Sequence, residues 1–169
     1  MPASPAPLRL ARLLPVLLLL PAVDAAAQCI NYANHLHAVA DLPLVEAPRL
    51  VEAEGDRLHI LADRLPWESD VLYLVDVAVP AQPVLTDSLV APANAYGLAV
   101  DQGWAFFATA ADGLRSLDLA DTTRAGSLPL PGISTAVAVG SGLAYVGHAH
   151  DDTTQLLVVD VSDPLAPAL

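Results

Sequence analysis

The hexapeptide LLVVDV, residues Leu156–Val161, is the last of three copies of one pattern in this chain. The pattern is Leu, two variable residues, an aliphatic residue, Asp and a second aliphatic residue, and the earlier copies begin at Leu72 and Leu114. Their Asp residues occupy positions 76, 118 and 160, so the spacing is 42 residues in both intervals. A fixed period of roughly 20–50 residues is typical of a repeat architecture. The pattern therefore decides the fold class.

Three further short apolar segments accompany each copy of the pattern. Residues typical of turns separate these segments. In the second repeat these segments are 97–101, 104–109 and 125–130. No segment shows the i, i+3, i+4 apolar spacing of an amphipathic helix, so a helical solenoid is disfavoured. Four short strands in about 42 residues is the size of one blade of a β-propeller. The sequence predicts an all-β fold built from four-stranded antiparallel β-propeller blades.

The spacing also predicts where each blade lies. We expect blades at 49–90, 96–131 and 134–169, and residues 36–43 have the pattern of an additional outer strand. β-Propellers typically have four to eight blades, so about three blades and one N-terminal outer strand make an incomplete ring. We expect the chain to be the N-terminal part of a longer protein. Assembly of a ring from several short chains is the alternative.

The first 27 residues have the pattern of a secretory signal peptide. Arg9 and Arg12 form a positive region, 13–20 is a largely apolar run, and 25–27 are three alanines that suit a cleavage site. The apolar run is shorter than the about 20 residues that a membrane-spanning helix needs. We expect residues 28–169 to form the mature, partial propeller domain, in the periplasm or at the cell surface.

Cys29 is the single cysteine, so an internal disulfide is excluded. Lipidation as a lipoprotein N-terminus is one alternative, but that processing favours a small residue where Gln28 stands. Pairing with a cysteine outside this chain is the preferred interpretation.

The charge of the chain excludes some partners. Asp and Glu total 19 against 7 Arg, with no Lys, and the formal net charge is −12. Such a surface repels phosphate backbones and anionic headgroups, so nucleic acids and anionic membranes are poor partners. The hydrophobic content of 54% is too high for a disordered chain and provides a sizeable core.

The Asp of the repeated pattern is predicted to be structural. It recurs once per repeat, whereas catalysis needs one constellation per molecule. A carboxylate at the end of a strand can accept hydrogen bonds from backbone N–H groups of the turn that follows. Because the pattern is apolar at nearly every other position, we also expect its strand to be buried on both faces, between neighbouring blades.

The loops between the second and third strands differ most in length among the repeats, so they are the candidate binding sites. On a propeller they share one rim with the proline-rich links between repeats. The candidate binding residues are Arg64 and Trp67 in loop 63–70, and His148, His150 and Asp152 in loop 148–155. Two histidines at i and i+2 can share a cation, but no third ligand stands at a diagnostic spacing. No nucleophile elbow, phosphate loop or HExxH motif is present, so we predict no catalytic residue, metal ligand or cofactor.

The third repeat resembles a known family. The segment LLVVDVSDP at 156–164, preceded by AVAV at 136–139 and LAYV at 143–146, is similar to the LVIVD-repeat family of secreted bacterial β-propellers. The resemblance covers most of residues 36–169 and is weakest in the second repeat, where no proline pair follows Asp118. It implies a propeller fold and an extracytoplasmic location, and it implies no established enzymatic chemistry.

Three functions are compatible with these features. The first is a secreted or surface binding or adhesion module without catalysis, with a protein or carbohydrate ligand on the loop rim. The second is an extracytoplasmic metal-assisted hydrolase or lyase with catalytic residues partly in missing blades. The third is a structural component of a surface layer. We take the first as the working hypothesis.

Overall fold

The structure, a computed structural model, describes residues 38–64, 69–110 and 112–169. Within these residues the chain forms eleven β-strands and no helix. Every strand pair is antiparallel, and the strands form three sheets. The prediction of an all-β fold with antiparallel sheets is confirmed.

Each sheet contains strands that are consecutive in the sequence. The first sheet contains β1 (Ala47–Glu54), β2 (Arg57–Asp63), β3 (Val71–Asp76) and β4 (Val84–Val90). The second contains β5 (Ala95–Asp101), β6 (Trp104–Thr109), β7 (Gly113–Asp118) and β8 (Ala125–Leu128). The third contains β9 (Ile133–Gly140), β10 (Leu143–His150) and β11 (Thr153–Asp160). β1 lies beside β5, and β5 lies beside β9, so the first strands of the three sheets are neighbours.

Two-residue turns join the first and second strands of every sheet, as the segments 97–101 and 104–109 predict for the second. In the second and third sheets both turn residues have positive φ: 51° and 78° at Gln102 and Gly103, and 56° and 75° at Ser141 and Gly142. Two successive positive φ angles define a type I′ turn, whose twist matches that of the flanking strands. These turns set the register of the first two strands in each sheet.

The second sheet is buried on both faces. Phe107 packs in a cluster with Leu61 and Leu72 of the first sheet, whereas Phe106 packs in a cluster with Val146 and Val159 of the third sheet. Successive residues of a strand point to opposite faces. β6 therefore contributes to two separate cores with adjacent residues.

The repeated pattern differs in burial among its three copies. In β3 all residues from Val71 to Val75 are buried, and β7 is buried except at Arg115. In β11, however, Leu156 is 67% exposed and Val158 is 49% exposed. The prediction of burial on both faces is confirmed for the first two copies and wrong for the third. Among the described residues, the third sheet has a neighbouring sheet on only one side.

The predicted outer strand at 36–43 does not form in its described part, because residues 38–43 are outside any strand. Leu42 and Leu44 instead pack against the face of the first sheet that carries Ile60 and Tyr73. The segment buries these leucines on an apolar face rather than pairing at a sheet edge. Residues 36–37, the predicted signal peptide 1–27 and Cys29 lie outside the described residues.

The third sheet also differs from its expected four strands. It has three strands, followed by an isolated bridge between Asp160 and Ala168. Both backbone hydrogen bonds of this bridge are present, at 2.7 and 3.0 Å. Ala168 follows Val84, the first residue of β4, by twice the repeat length. Across the residues that are described, the three sheets do not close into a ring.

The Asp of the pattern accepts a backbone hydrogen bond in all three copies, as predicted. The Oδ1 atoms of Asp76, Asp118 and Asp160 lie 2.8, 2.9 and 2.9 Å from the backbone nitrogen two residues later. The hydrogen bond from the Ser162 N–H lowers the pKa of Asp160. The residue thus closes the turn that leaves the third strand.

Asp118 has the most partners of the three, so its replacement provides a test of this role. Asp118 accepts a second backbone hydrogen bond, from the N–H of Asp121 at 3.2 Å, and forms an ion pair with Arg124 at 2.6 Å. We expect Asp118→Ala to lower the free energy of unfolding by about 2 kcal/mol, since several hydrogen bonds to one carboxylate are lost together. Urea unfolding measures the change. Asp118→Asn keeps the Oδ1 acceptor and should lose about half as much; an Ala variant as stable as the wild type would contradict the assignment.

His59 is buried at 1% exposure between the first two sheets, and its Nδ1 has no hydrogen-bond partner among the described residues. Strand register places Phe106 and Tyr145 at the same position in the other two sheets. Burial lowers the pKa of His59. The charge of Glu54 raises this pKa by a smaller amount, and the charge of Arg57 lowers it further. The site therefore holds a neutral imidazole where the other repeats hold an aromatic ring.

This burial predicts a pH dependence of stability. The unfolded chain binds a proton at His59 near pH 6.5, whereas the folded chain does so only at lower pH. The free energy of unfolding should therefore fall as the pH drops below about 6.5, by at most about 1.4 kcal/mol per pH unit. Urea unfolding between pH 5 and 8 should show this loss in the wild type. The His59→Phe variant should lack that component, and identical pH profiles for the two proteins would refute it.

Candidate functional site

One end of the three sheets collects the loops that differ most among the repeats. The first and third strands begin at this end, and the second and fourth strands finish there. Neighbouring segments are joined by backbone hydrogen bonds, from Ala91 to Asp70 at 2.8 Å and from Ala110 to Asn94 at 3.2 Å. We call this end the loop rim; its segments are 64–70, 91–94, 110–112, 129–132 and 151–152, without residues 65–68 and 111, which are not described.

A cleft of about 680 Å³ opens at the loop rim between the first two sheets. Ser88–Ala93 form one wall, β7 forms the other, and Ser69 and Asp112 contribute from the rim loops. The lining combines a guanidinium, a carboxylate and several hydroxyl groups with the apolar side chains of Leu89 and Leu117. A concave site with a few convergent polar groups is the usual form of a small-ligand site.

Arg115 is the charged donor of this cleft. It lies two residues before Leu117, which packs between the first two sheets, so both side chains point to the same face of β7. Its Nη1 lies 3.3 Å from Oδ2 of Asp112, and the side chains are 36% and 55% exposed. The Nε of Arg115 is buried and has no hydrogen-bond partner among the described residues. A guanidinium carries five N–H donors, and this single long ion pair leaves donors for a ligand oxygen.

A second polar cluster lies at the start of β1. Arg49 forms ion pairs with Asp63 at 2.9 Å and Asp70 at 3.1 Å, and its guanidinium lies 5.8 Å from the centre of the Tyr96 ring. Asp70 accepts a hydrogen bond from the buried backbone N–H of Ala95 at 3.2 Å, and Arg49 donates to the Ala95 carbonyl. The cluster therefore joins the first sheet to the beginning of the second.

Burial raises the pKa of Asp70, and the hydrogen bond from Ala95 and the charge of Arg49 oppose that rise. A carboxylate with a perturbed pKa is a candidate for a functional site. Asp70 is 6% exposed, and its described partners are Arg49 and the backbone of Ala95. This geometry gives it a structural role, as the contact between two sheets.

A β-bulge occurs at the same position in the first strand of every sheet. The bulged residues are Arg49, Tyr96 and Thr135, each placed where the register shifts. A bulge bends its strand and re-aims a side chain. The bulges place three non-identical side chains in the first strands near the loop rim, and the periodicity of the sequence does not indicate them.

The structure separates the predicted binding residues. Arg64 lies at the rim, is 41% exposed and approaches Oε1 of Glu46 at 3.4 Å. Glu46 also accepts a hydrogen bond from the Tyr73 hydroxyl. Trp67 lies outside the described residues. Arg64 therefore remains accessible, held by one weak ion pair.

His148 is buried rather than placed in a loop. Its Nδ1 lies 3.1 Å from the Ser134 hydroxyl, and its Nε2 lies 2.9 Å from the Pro131 carbonyl oxygen. The carbonyl can only accept, so Nε2 donates to it, and the Ser134 hydroxyl can pair with Nδ1 because a hydroxyl both donates and accepts. Both nitrogens are used to join the link 129–132 to β10, which indicates a structural role.

His150 and Asp152 lie at the rim, apart from the buried His148. His150 is 45% exposed with its Nδ1 3.5 Å from Asp151, and Asp152 is exposed. In the part of the chain that the structure describes, no group of three or more His, Cys, Asp or Glu residues is arranged to hold a metal ion.

Sequence reasoning missed Asp112 and Arg115, although variable loop length points to the rim on which Asp112 lies. A spacing of three residues does not by itself indicate a binding site. The two side chains form an ion pair only because the loop that holds Asp112 leads directly into β7. Ser69 was missed for a related reason, since it lies beside β7 residues of the same cleft only in the folded protein.

Comparison of the chain with protein-family models, with curated proteins and with solved structures found no match. None of the described segments forms a helix with the length and apolar character needed to cross a membrane.

Proposed function

We propose that this protein is a secreted repeat protein of the β-propeller type that acts as a binding module without catalysis of its own. The propeller architecture is supported by three sheets of similar topology that follow the 42-residue period. Their first strands are neighbours, and equivalent faces pack on the next sheet. These are features of blades arranged around an axis. Secretion is supported by the signal-peptide pattern in residues 1–27.

The cleft between the first two sheets is the ligand site in this proposal. The observation that carries it is Arg115, whose partly exposed guanidinium retains unused donors in a concave site. A guanidinium has five N–H donors, and its hydrogen bonds to ligand oxygens are charge-assisted and therefore strong. The cleft also opens on the loop rim, where function usually resides on a regular scaffold.

The lining favours a polar, uncharged ligand. Arg115 donates hydrogen bonds, Asp112 accepts them, and Ser69 and Thr122, which also line the cleft, carry hydroxyl groups that can do both. The net charge of −12 disfavours an anionic ligand at long range. A carbohydrate meets these conditions, because its hydroxyl groups both donate and accept.

A glycan array probed with the purified protein tests the proposal. We expect binding to at least one neutral glycan, and Arg115→Ala should weaken that binding by at least about tenfold, the loss of one charge-assisted hydrogen bond. Arg57→Ala is the matched control, because Arg57 is exposed at the opposite end of the first sheet. No bound glycan, or equal losses in both variants, would contradict a carbohydrate site in this cleft.

A further inference from the structure

A second concave site lies at the end of the sheets opposite the loop rim, between the second and third sheets. It is a pocket of about 260 Å³, which we call the turn-end pocket. One wall comes from the second sheet, and the other comes from the end of β9, the turn before β10 and the segment that follows β11. A volume below the roughly 300–1,000 Å³ of ordinary ligand sites fits a small molecule. The turn-end pocket shares no residue with the cleft at the loop rim.

The interior of the turn-end pocket is aromatic and apolar. Trp104 and Phe106 are two residues apart in β6, so both rings point to the same face of the second sheet. On that face they pack with Val139 and Val161, and all four side chains line the pocket. The face of an aromatic ring carries the negative part of its quadrupole and attracts cations, and the indole of Trp does so most strongly.

Trp104 already interacts with one cation of the chain. The guanidinium of Arg124 lies 5.2 Å from the centre of the Trp104 ring. The same guanidinium forms an ion pair with Asp118 at 2.6 Å, so its charge is balanced within the second sheet. Arg124 is not among the described residues that line the pocket. It therefore stabilises the position of the ring without filling the pocket.

Asp101 is the one charged residue among the described residues that line the turn-end pocket. It follows Val100, which packs toward the first sheet, so the Asp101 side chain points toward the third sheet. It is half-buried, and the described residues give its carboxylate one side-chain partner, the amide of Gln102 at 3.3 Å, and no cation. An unpaired carboxylate beside an apolar cavity attracts a positive charge, and the net charge of −12 favours the approach of a cation.

The combination of an acid and an aromatic ring at the turn occurs in only the second of the three sheets. The residues that flank the turn are cross-strand pairs in every sheet: Glu54 with Arg57, Asp101 with Trp104, and Gly140 with Leu143. Because the two-residue turn forms with all three pairs, the fold itself does not require the acid or the ring. In the first sheet the acid faces an arginine, whereas in the second it faces an indole. The second sheet therefore combines an aromatic surface with a negative charge that no cross-strand cation balances.

We infer that the turn-end pocket binds a small organic cation of the substituted-ammonium class. The alkyl groups of such a cation contact the aromatic rings and the valines, and its charge is balanced by Asp101. A divalent metal ion does not fit, because it needs several oxygen ligands and the described lining offers one carboxylate beside apolar side chains. The site is separate from the proposed carbohydrate cleft, so the failure of one proposal does not decide the other.

Titration with choline chloride, followed by the fluorescence of Trp104, tests the inference. Trp67→Phe leaves Trp104 as the single tryptophan of the chain. Its emission should change saturably with choline. The neutral analogue of choline, in which carbon replaces nitrogen, should bind at least about tenfold more weakly, because it has the same shape without the charge. Sodium chloride at the same ionic strength is the blank, and isothermal titration of the wild type gives the dissociation constant without a substitution.

Substitution of Asp101 tests its role. Asp101→Asn keeps the shape of the side chain and should weaken choline binding by at least about tenfold. Glu54→Gln is the matched control, because it makes the same change in net charge at the equivalent position of the first sheet, and it should bind choline as the wild type does. Circular dichroism verifies that both variants fold. Arg115→Ala should also leave choline binding unchanged, which separates this site from the cleft at the loop rim.

Three outcomes overturn the inference. The first is the absence of a saturable signal with choline. The second is equal affinity for choline and its neutral analogue, which would make the pocket merely apolar. The third is an equal effect of Asp101→Asn and Glu54→Gln, which would assign the attraction to the overall charge of the protein rather than to this carboxylate.

Discussion

Gly97→Val is expected to lower the free energy of unfolding by about 3 kcal/mol or more. Gly97 lies in β5, next to β9 of the third sheet. A Cβ at this position would lie 2.9 Å from the Cα of Ala136 and 2.9 Å from the backbone nitrogen of Val137. Backbone atoms cannot rotate away as a side chain can. The two first strands would therefore have to separate.

Guanidinium unfolding monitored by tryptophan fluorescence measures this effect. Trp104 packs at the interface between the second and third sheets and reports on their separation. Gly140→Ala is the matched control, because Gly140 lies in β9 with no atom within 4 Å of a built Cβ. It should change stability by less than about 0.5 kcal/mol. Unfolding midpoints that agree between Gly97→Val and the wild type would show that the two strands are not in such close contact.

Asp70→Ala is expected to cost about 3 kcal/mol, because it removes the acceptor at the centre of a partly buried polar cluster. The Arg49 guanidinium would lose one of its two carboxylate partners, and the buried N–H of Ala95 would lose its hydrogen bond from this side chain. A buried N–H group that has no acceptor costs the folded state the full free energy of its removal from water. The substitution should weaken the contact between the first two sheets, which also form the walls of the cleft.

Two variants separate the parts of this effect. Asp63→Ala removes the other carboxylate that pairs with Arg49. Because the Asp63 side chain is 43% exposed, this change should lower the free energy of unfolding by less than about 1 kcal/mol. Asp70→Asn keeps an acceptor for the Ala95 N–H and should fall between the two. Thermal unfolding of all three variants provides the comparison. If Asp63→Ala is as damaging as Asp70→Ala, charge balance at Arg49 rather than burial of Asp70 stabilises the cluster.

Much of the fold could be predicted from the chain because its information is local and periodic. The two-residue turns at Gln102-Gly103 and Ser141-Gly142 need residues that tolerate positive φ, and Gly satisfies that need in each turn. The Asp that ends each pattern hydrogen-bonds to an N–H only two residues away. Contacts of this kind depend on adjacent residues, so a single sequence reveals them.

The candidate site could be located in part. Variable loop length indicated the rim, and the rim is where the cleft opens. The orientation of side chains within it could not be predicted, as His148 illustrates. Its i, i+2 spacing with His150 suggested a shared exposed face, but the link at Pro131 folds over β10 and buries it. Asp112 and Arg115 show the converse, since a loop and a strand become one polar pair only through the turn between them.

The sequence by itself determined the period of 42 residues, the all-β class, the tight turns and the role of the repeated Asp. Each of these follows from residue types within a few positions of one another, or from their recurrence along the chain. The tertiary structure alone decided which faces are covered. Leu72, Leu114 and Leu156 occupy the same place in one pattern, yet only the first two are buried. Burial depends on whether a neighbouring sheet is present, and no residue in the pattern carries that information.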